Sequence, residues 1–165
     1  MFAGRVKTRP KLTLERTYDA SPEEVWEVLT TREGIEAIMG PDGFKVEVDD
    51  LDLRPGGRMT YSMTTFGREQ VEYMTQAGLP LVQKIQVAFV EVFAPRKLVT
   101  RDLADFVPGV EPYEVESVFE LHTVPEGTRL VVTFDAMHDD LWTENAKLGR
   151  EQELRKIGEF LTKRK

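Results

Sequence analysis

Strict alternation of apolar and polar residues governs most of this chain. In Tyr113–Leu121, Tyr113, Val115, Ser117, Phe119 and Leu121 fall on one face and Glu114, Glu116 and Glu120 on the other. That is the period of a strand with one buried side. The same pattern predicts strands at Leu12–Tyr18, with Leu12, Leu14, Arg16 and Tyr18 on one face, and at Phe44–Asp49, with Phe44, Val46 and Val48 inward. It continues at Arg58–Phe66 (Met59, Tyr61 and Met63 together), Lys84–Phe93, Leu98–Phe106 and Thr128–Ala136, where Leu130, Val132, Phe134 and Ala136 point in. Short turns such as Leu51–Gly57, Ala94–Lys97 and Pro125–Gly127 join them, so the strands form an antiparallel meander.

The period changes to helical in four places. Ser21-Pro22-Glu23-Glu24 combines an N-cap, a first-turn proline and a capping-box glutamate ahead of Val25, Trp26, Val28 and Leu29. A second box, Thr30-Thr31-Arg32-Glu33, starts a short helix with Ile35, Ile38 and Met39, ended by Gly40-Pro41-Asp42-Gly43. Gly67–Gly78 is helix-compatible, with Val71 and Met74 three apart, and an apolar loop, Leu79–Val82, follows it. Asp139–Lys163 lacks proline and is rich in helix formers, which predicts a closing helix of about six turns. The order strand, two short helices, six strands, long helix predicts an α+β fold in which a curved seven-stranded antiparallel sheet is covered by that helix.

Composition narrows the class. With 165 residues, 41% of them hydrophobic and 31% charged, the chain suits one domain with a sizeable core, expected over residues 12–163 behind a flexible arm at 1–11. A net charge of -7 argues against nonspecific binding to nucleic acid or an acidic membrane. No apolar run suggests membrane insertion. The lack of cysteine excludes disulfides and thiolate chemistry and suits a reducing cytoplasm. Dinucleotide-binding, Walker, nucleophile-elbow and zinc-protease motifs are absent.

Ala20-Ser-Pro-Glu-Glu-Val-Trp26, Arg54-Pro-Gly-Gly57, Val90–Leu98 and a closing Gly149 with Leu154 and Ile157 together resemble the Aha1-like group of the START/Bet v 1-like (SRPBCC) superfamily. The resemblance spans roughly Leu12 to Leu161. It implies a helix-grip architecture, with a hydrophobic ligand held between sheet and final helix. The superfamily's members include ligand carriers, polyketide cyclase-like enzymes and self-sacrificing resistance proteins, so fold alone does not select a function. The name comes from an activator of the Hsp90 ATPase with a further N-terminal domain that this chain lacks, which makes cochaperone activity the weaker expectation. Many relatives place tryptophan after the glycine of the last helix; here that position is Arg150.

Candidate site residues follow from the inward faces. Phe44, Val46, Met59, Tyr61, Met63, Phe89, Phe119 and Phe134 offer an apolar wall, with Met74 on the inserted helix and Tyr61, Tyr113 and Ser117 as polar handles. Asp102 is a further polar candidate. On the last helix, Trp142, Ala146, Gly149, Arg150, Glu153, Ile157 and Leu161 share a broad face. Because buried charges are rare, Arg150 and Glu153 are expected at its flank, snorkelling to water. His138 shares the inward parity of the seventh strand and is the candidate acid or base, whereas His122 faces out. His138-Asp139-Asp140 with Glu144 reads as an acidic helix start rather than a metal site, and no cofactor is implied. The leading expectation is a protein, monomer or homodimer, that binds a small hydrophobic or amphipathic molecule, with 67–82 as a lid. The alternatives are a cyclase-like or hydrolytic enzyme and an interaction protein of the Hsp90-activator type.

Overall fold

In the computed structural model, which describes residues 9–105 and 107–164, the seven strands form one open antiparallel sheet in the order β1-β7-β6-β5-β4-β3-β2. The strands are β1 (Lys11–Tyr18), β2 (Phe44–Leu51), β3 (Arg58–Thr65), β4 (Val82–Phe93), β5 (Lys97–Ala104), β6 (Tyr113–Val124) and β7 (Gly127–Asp135). The helices among the described residues are α1 (Pro22–Thr30), α2 (Arg32–Ile38), α3 (Arg68–Gln76) and α4 (Asp140–Lys163). The order follows from the connections. Strands two to seven each pair antiparallel with their chain neighbours, with α3 inserted between β3 and β4, and β1 closes on β7 with Leu14 opposite Val132 and Leu12 opposite Phe134. Register shifts at Val48/Asp50 and Phe89/Glu91 interrupt two ladders, and bulges of this kind bend a sheet.

Several boundaries differ from expectation. The second helix is capped by Thr31, not Thr30: the Thr31 hydroxyl accepts from the Gly34 N–H at 3.2 Å, while the Thr30 hydroxyl closes α1 by donating to the Trp26 carbonyl. At α1 the box forms as read, with Glu24 N–H donating to Ser21 Oγ and Ser21 N–H to Glu24 Oε1. Val82 belongs to β4 rather than to the loop before it, and β1 begins at Lys11, one residue inside the expected arm. Residues 1–8 of that arm, and Phe106 of the expected fifth strand, lie outside the described residues.

The core sits between the sheet and the C-terminal half of α4. Leu154, Ile157 and Leu161 are that helix's buried residues, and they join Val25, Val28 and Leu29 of α1, Ile35 and Ile38 of α2, and Leu130 and Val132 of β7. Tyr18 fixes the seam. Its hydroxyl donates to the Leu154 carbonyl at 2.7 Å, and its ring lies where Gly158 carries no side chain, 3.5 Å from the position a Cβ would take. Farther up α4, Gln152, Arg155 and Lys156 bind the Gly40–Gly43 turn through the Asp42 N–H, the Asp42 carboxylate and the Gly40 carbonyl. Gly40 and Gly43 both have positive φ, which glycine adopts without steric cost. Beyond that clasp, toward its start, α4 buries none of its side chains.

Candidate functional site

Where α4 stops packing, space opens. An inner cavity of about 290 Å³ lies between the concave face of the sheet and the middle of α4. Its wall is apolar for most of its extent: Met59, Ile85, Val87, Phe89, Phe119, Val132 and Phe134 from the strands, Ile35 and Ile38 from α2, and Ile157 from α4. An outer groove of about 480 Å³ runs between α3 and the start of α4, lined by Phe44, Tyr73, Met74, Leu79, Trp142 and Leu148 among others. The two spaces share Met63, Ile85, Met137 and Gly149, so they adjoin.

The polar part of the inner cavity gathers at one place. Arg150 and Glu153 point toward the sheet, not to the flank of α4, with side chains only 20% and 18% exposed. Arg150 has three reasons to turn inward. It donates to Glu153 Oε1 at 3.2 Å and to the Ser117 hydroxyl on β6, and its guanidinium lies 5.6 Å and 5.5 Å from the ring centres of Phe119 and Phe134. Charge pairing, a hydrogen bond and two aromatic faces together offset the desolvation that made the snorkelling reading attractive. A helix three-residue step sets Arg150 beside Glu153, and a strand parity aims Ser117 at them.

Asp102 completes the cluster from β5. It lines the cavity, and burial pushes its carboxyl up to about 6; Arg150 partly offsets that and Glu153 adds to it. Tyr61, 6% exposed, stands on β3, and burial, reinforced by Asp102 and Glu153, raises its phenol above its ordinary range. Among the described residues, no hydrogen bond reaches the Tyr61 hydroxyl or the Asp102 carboxylate, although neither has an atom both fully buried and unsatisfied. Their polar atoms are therefore open to the cavity.

The remaining expected residues divide. Met59, Tyr61, Met63, Phe89, Ser117, Phe119, Phe134, Gly149, Arg150 and Glu153 border the inner cavity, while Phe44, Met74 and Trp142 border the outer groove. Val46 is buried in the core and borders neither. Tyr113 and His138 also border neither. The Tyr113 hydroxyl lies 2.7 Å from His138 Nδ1, and Arg9 stacks over the Tyr113 ring at 3.9 Å, forming a cluster of their own. Strand parity failed for His138 because β7 ends at Asp135, three residues earlier. Thr100 was missed, and Asp102 was only half read; both share the parity of buried Leu98 on β5, which was the available signal. Among the described residues, no group of His, Asp or Glu could hold a metal ion.

The family model described as "Activator of Hsp90 ATPase homolog 1-like protein" matches residues 19–162. The chain belongs to this family. No curated protein matches it. Solved structures similar to this AHSA1-like chain include a protein from Chromobacterium violaceum, 20% identical with TM-score 0.75, covering 91% of this chain and 95% of that one. Another is the AHSA1 protein of Silicibacter pomeroyi, 20% identical with TM-score 0.72, covering 94% and 100%. A third, from Mycobacterium smegmatis, is 21% identical with TM-score 0.71, covering 94% and 92%. At such identities the likeness establishes the AHSA1-like fold, and the site must be argued from its own residues.

Proposed function

We propose that this AHSA1-like chain binds a small hydrophobic or amphipathic molecule between the sheet and α4, as one domain over 12–163 working in the cytoplasm as a monomer or homodimer. The observation that carries this reading is an apolar cavity, about 290 Å³, with its charged groups drawn to one spot. Binding pockets have that make-up: a hydrophobic wall and a few placed polar groups. The superfamily's use of this space for hydrophobic ligands supports the reading. So does the location of the gap, since a helix that served only to cover the sheet would be apolar where it meets Phe119 and Phe134. In this reading the outer groove is the entrance and α3 with the 79–81 loop its movable cover. Among the described residues, no helix is long and apolar enough to cross a membrane. The test is native mass spectrometry of the protein purified from its own cell. A bound molecule of a few hundred daltons, lost on denaturation, is expected; a bare chain that also fails to bind any apolar probe rejects the reading.

A second reading, an enzyme using the same cavity, is favoured by Asp102, whose carboxyl sits near 6 and so is poised to exchange a proton close to neutral pH. In that case Asp102 replaces His138 as the acid or base. Turnover that survives Asp102→Asn undiminished would dispose of it. Action on an Hsp90-type ATPase rests on the family's description alone.

A further inference from the structure

The charges around the inner cavity do not balance. β5 contributes Asp102, and α4 contributes Arg150 and Glu153, giving two carboxylates to one guanidinium. Arg150 is committed: its two terminal nitrogens already donate to Glu153 and Ser117. The strands flanking Asp102 bring nothing cationic, because its partners across β4 and β6 are Val87 and Val115. Glu116 and Asp135, at the cavity's margin, have countercharges of their own in Arg101 and Lys11. Asp102 thus faces open space beside Tyr61, which is 6% exposed and whose hydroxyl also lacks a hydrogen-bond partner among the described residues.

We infer that Asp102 and Tyr61 form a head-group subsite for a basic nitrogen, so that the cavity takes an amphipathic amine, bound as its cation with its apolar body against Phe89, Phe119 and Phe134. This rests on the ligand-binding reading above. A carboxylate-bearing ligand meets two like charges and a guanidinium already in use. A neutral one leaves Asp102 with only the partial compensation of Arg150 in a mostly apolar cavity. An ammonium supplies the missing charge and donates to Asp102, and its remaining N–H groups reach the Tyr61 oxygen. Binding is then linked to protons. Burial holds Asp102 near 6, so acid protonates it and removes the countercharge while an aliphatic amine stays protonated.

The experiment uses three probes with one apolar body, 1-naphthylmethylamine, 1-naphthylmethanol and 1-naphthoate, titrated calorimetrically against the full chain at pH 7.5 and pH 5. The expected result at pH 7.5 is an amine bound at least tenfold more tightly than the alcohol, with naphthoate weakest. The amine's affinity should fall by roughly tenfold at pH 5 while the alcohol's stays level. Asp102→Asn should erase the amine's advantage and its pH dependence and spare the alcohol. Equal affinities, or a preference for naphthoate, overturn the inference; continued binding of the alcohol then leaves the cavity reading standing. Failure of all three to bind in the millimolar range removes both. The wild-type pH series decides the matter even if the variant does not fold.

Discussion

The two halves of α4 are continuous in backbone and opposite in role. Its C-terminal half carries Leu154, Ile157 and Leu161 into the core and is stapled by the Tyr18 hydroxyl and the Gly40–Gly43 turn. Its N-terminal half leaves Leu141 64% and Leu148 55% exposed, and its sheet-facing residues border space. One helix therefore does two things that conflict in a single segment: it buries enough apolar area to hold the fold, and it leaves unfilled volume, which on the binding reading admits a guest.

Substitution should separate these halves. Ile157→Ala removes a side chain 2% exposed and should cost about 2–5 kcal/mol in denaturant unfolding, the range for truncating a large aliphatic residue in a packed core. A cost under about 1 kcal/mol would mean the seam is loose there too. Asp102→Asn should act the other way. The buried carboxyl binds its proton more tightly folded than unfolded, so wild-type stability from this group falls as pH rises between about 4 and 6 and stays lost above 6. At pH 7.5 the amide should raise stability by on the order of 1–3 kcal/mol, and comparing the two proteins across pH isolates the effect. An unchanged or lowered stability would show that Asp102 is already compensated.

Gly149→Ala sharpens the contrast. An added Cβ there would meet only the Pro41 ring, at 3.8 Å, so nothing in the packing demands glycine. Alanine should therefore stabilise the unliganded protein by about 0.5–1 kcal/mol through helix propensity. It should also weaken probe binding, because Gly149 lines both the cavity and the groove. A gain in stability with affinity untouched would place the glycine outside the ligand's path. The smallest effect should be Leu148→Ala, within about 0.5 kcal/mol by thermal unfolding, since more than half of that side chain is already in water.

Much of this fold can be read from sequence because a half-buried strand writes its orientation at every second residue. The capping box at Ser21–Glu24 and the glycine turns supplied the punctuation between elements. The polar cluster was harder. A helix face more than 100° wide does not say which edge turns inward, and Arg150 looks like a surface residue until Ser117, Phe119 and Phe134 are known to stand opposite it. Asp102 was hidden for a related reason: Leu98, Val99 and Thr100 are all buried, so β5 shows no clean alternation by which to orient it. His138 erred in the opposite sense, since parity was extended past the end of β7.

The central claim is that the upper half of α4 roofs a space that accepts a guest. Intermolecular nuclear Overhauser effects with bound 1-naphthylmethanol test it directly. Contacts from the probe's ring to the methyl groups of Met59, Met63 and Ile85 and to the Gly149 Hα protons are predicted, with none to Leu161 or Val25, which lie in the core away from the cavity. Contacts confined to exposed residues such as Leu141 and Phe93, with the cavity methyls silent, would contradict it.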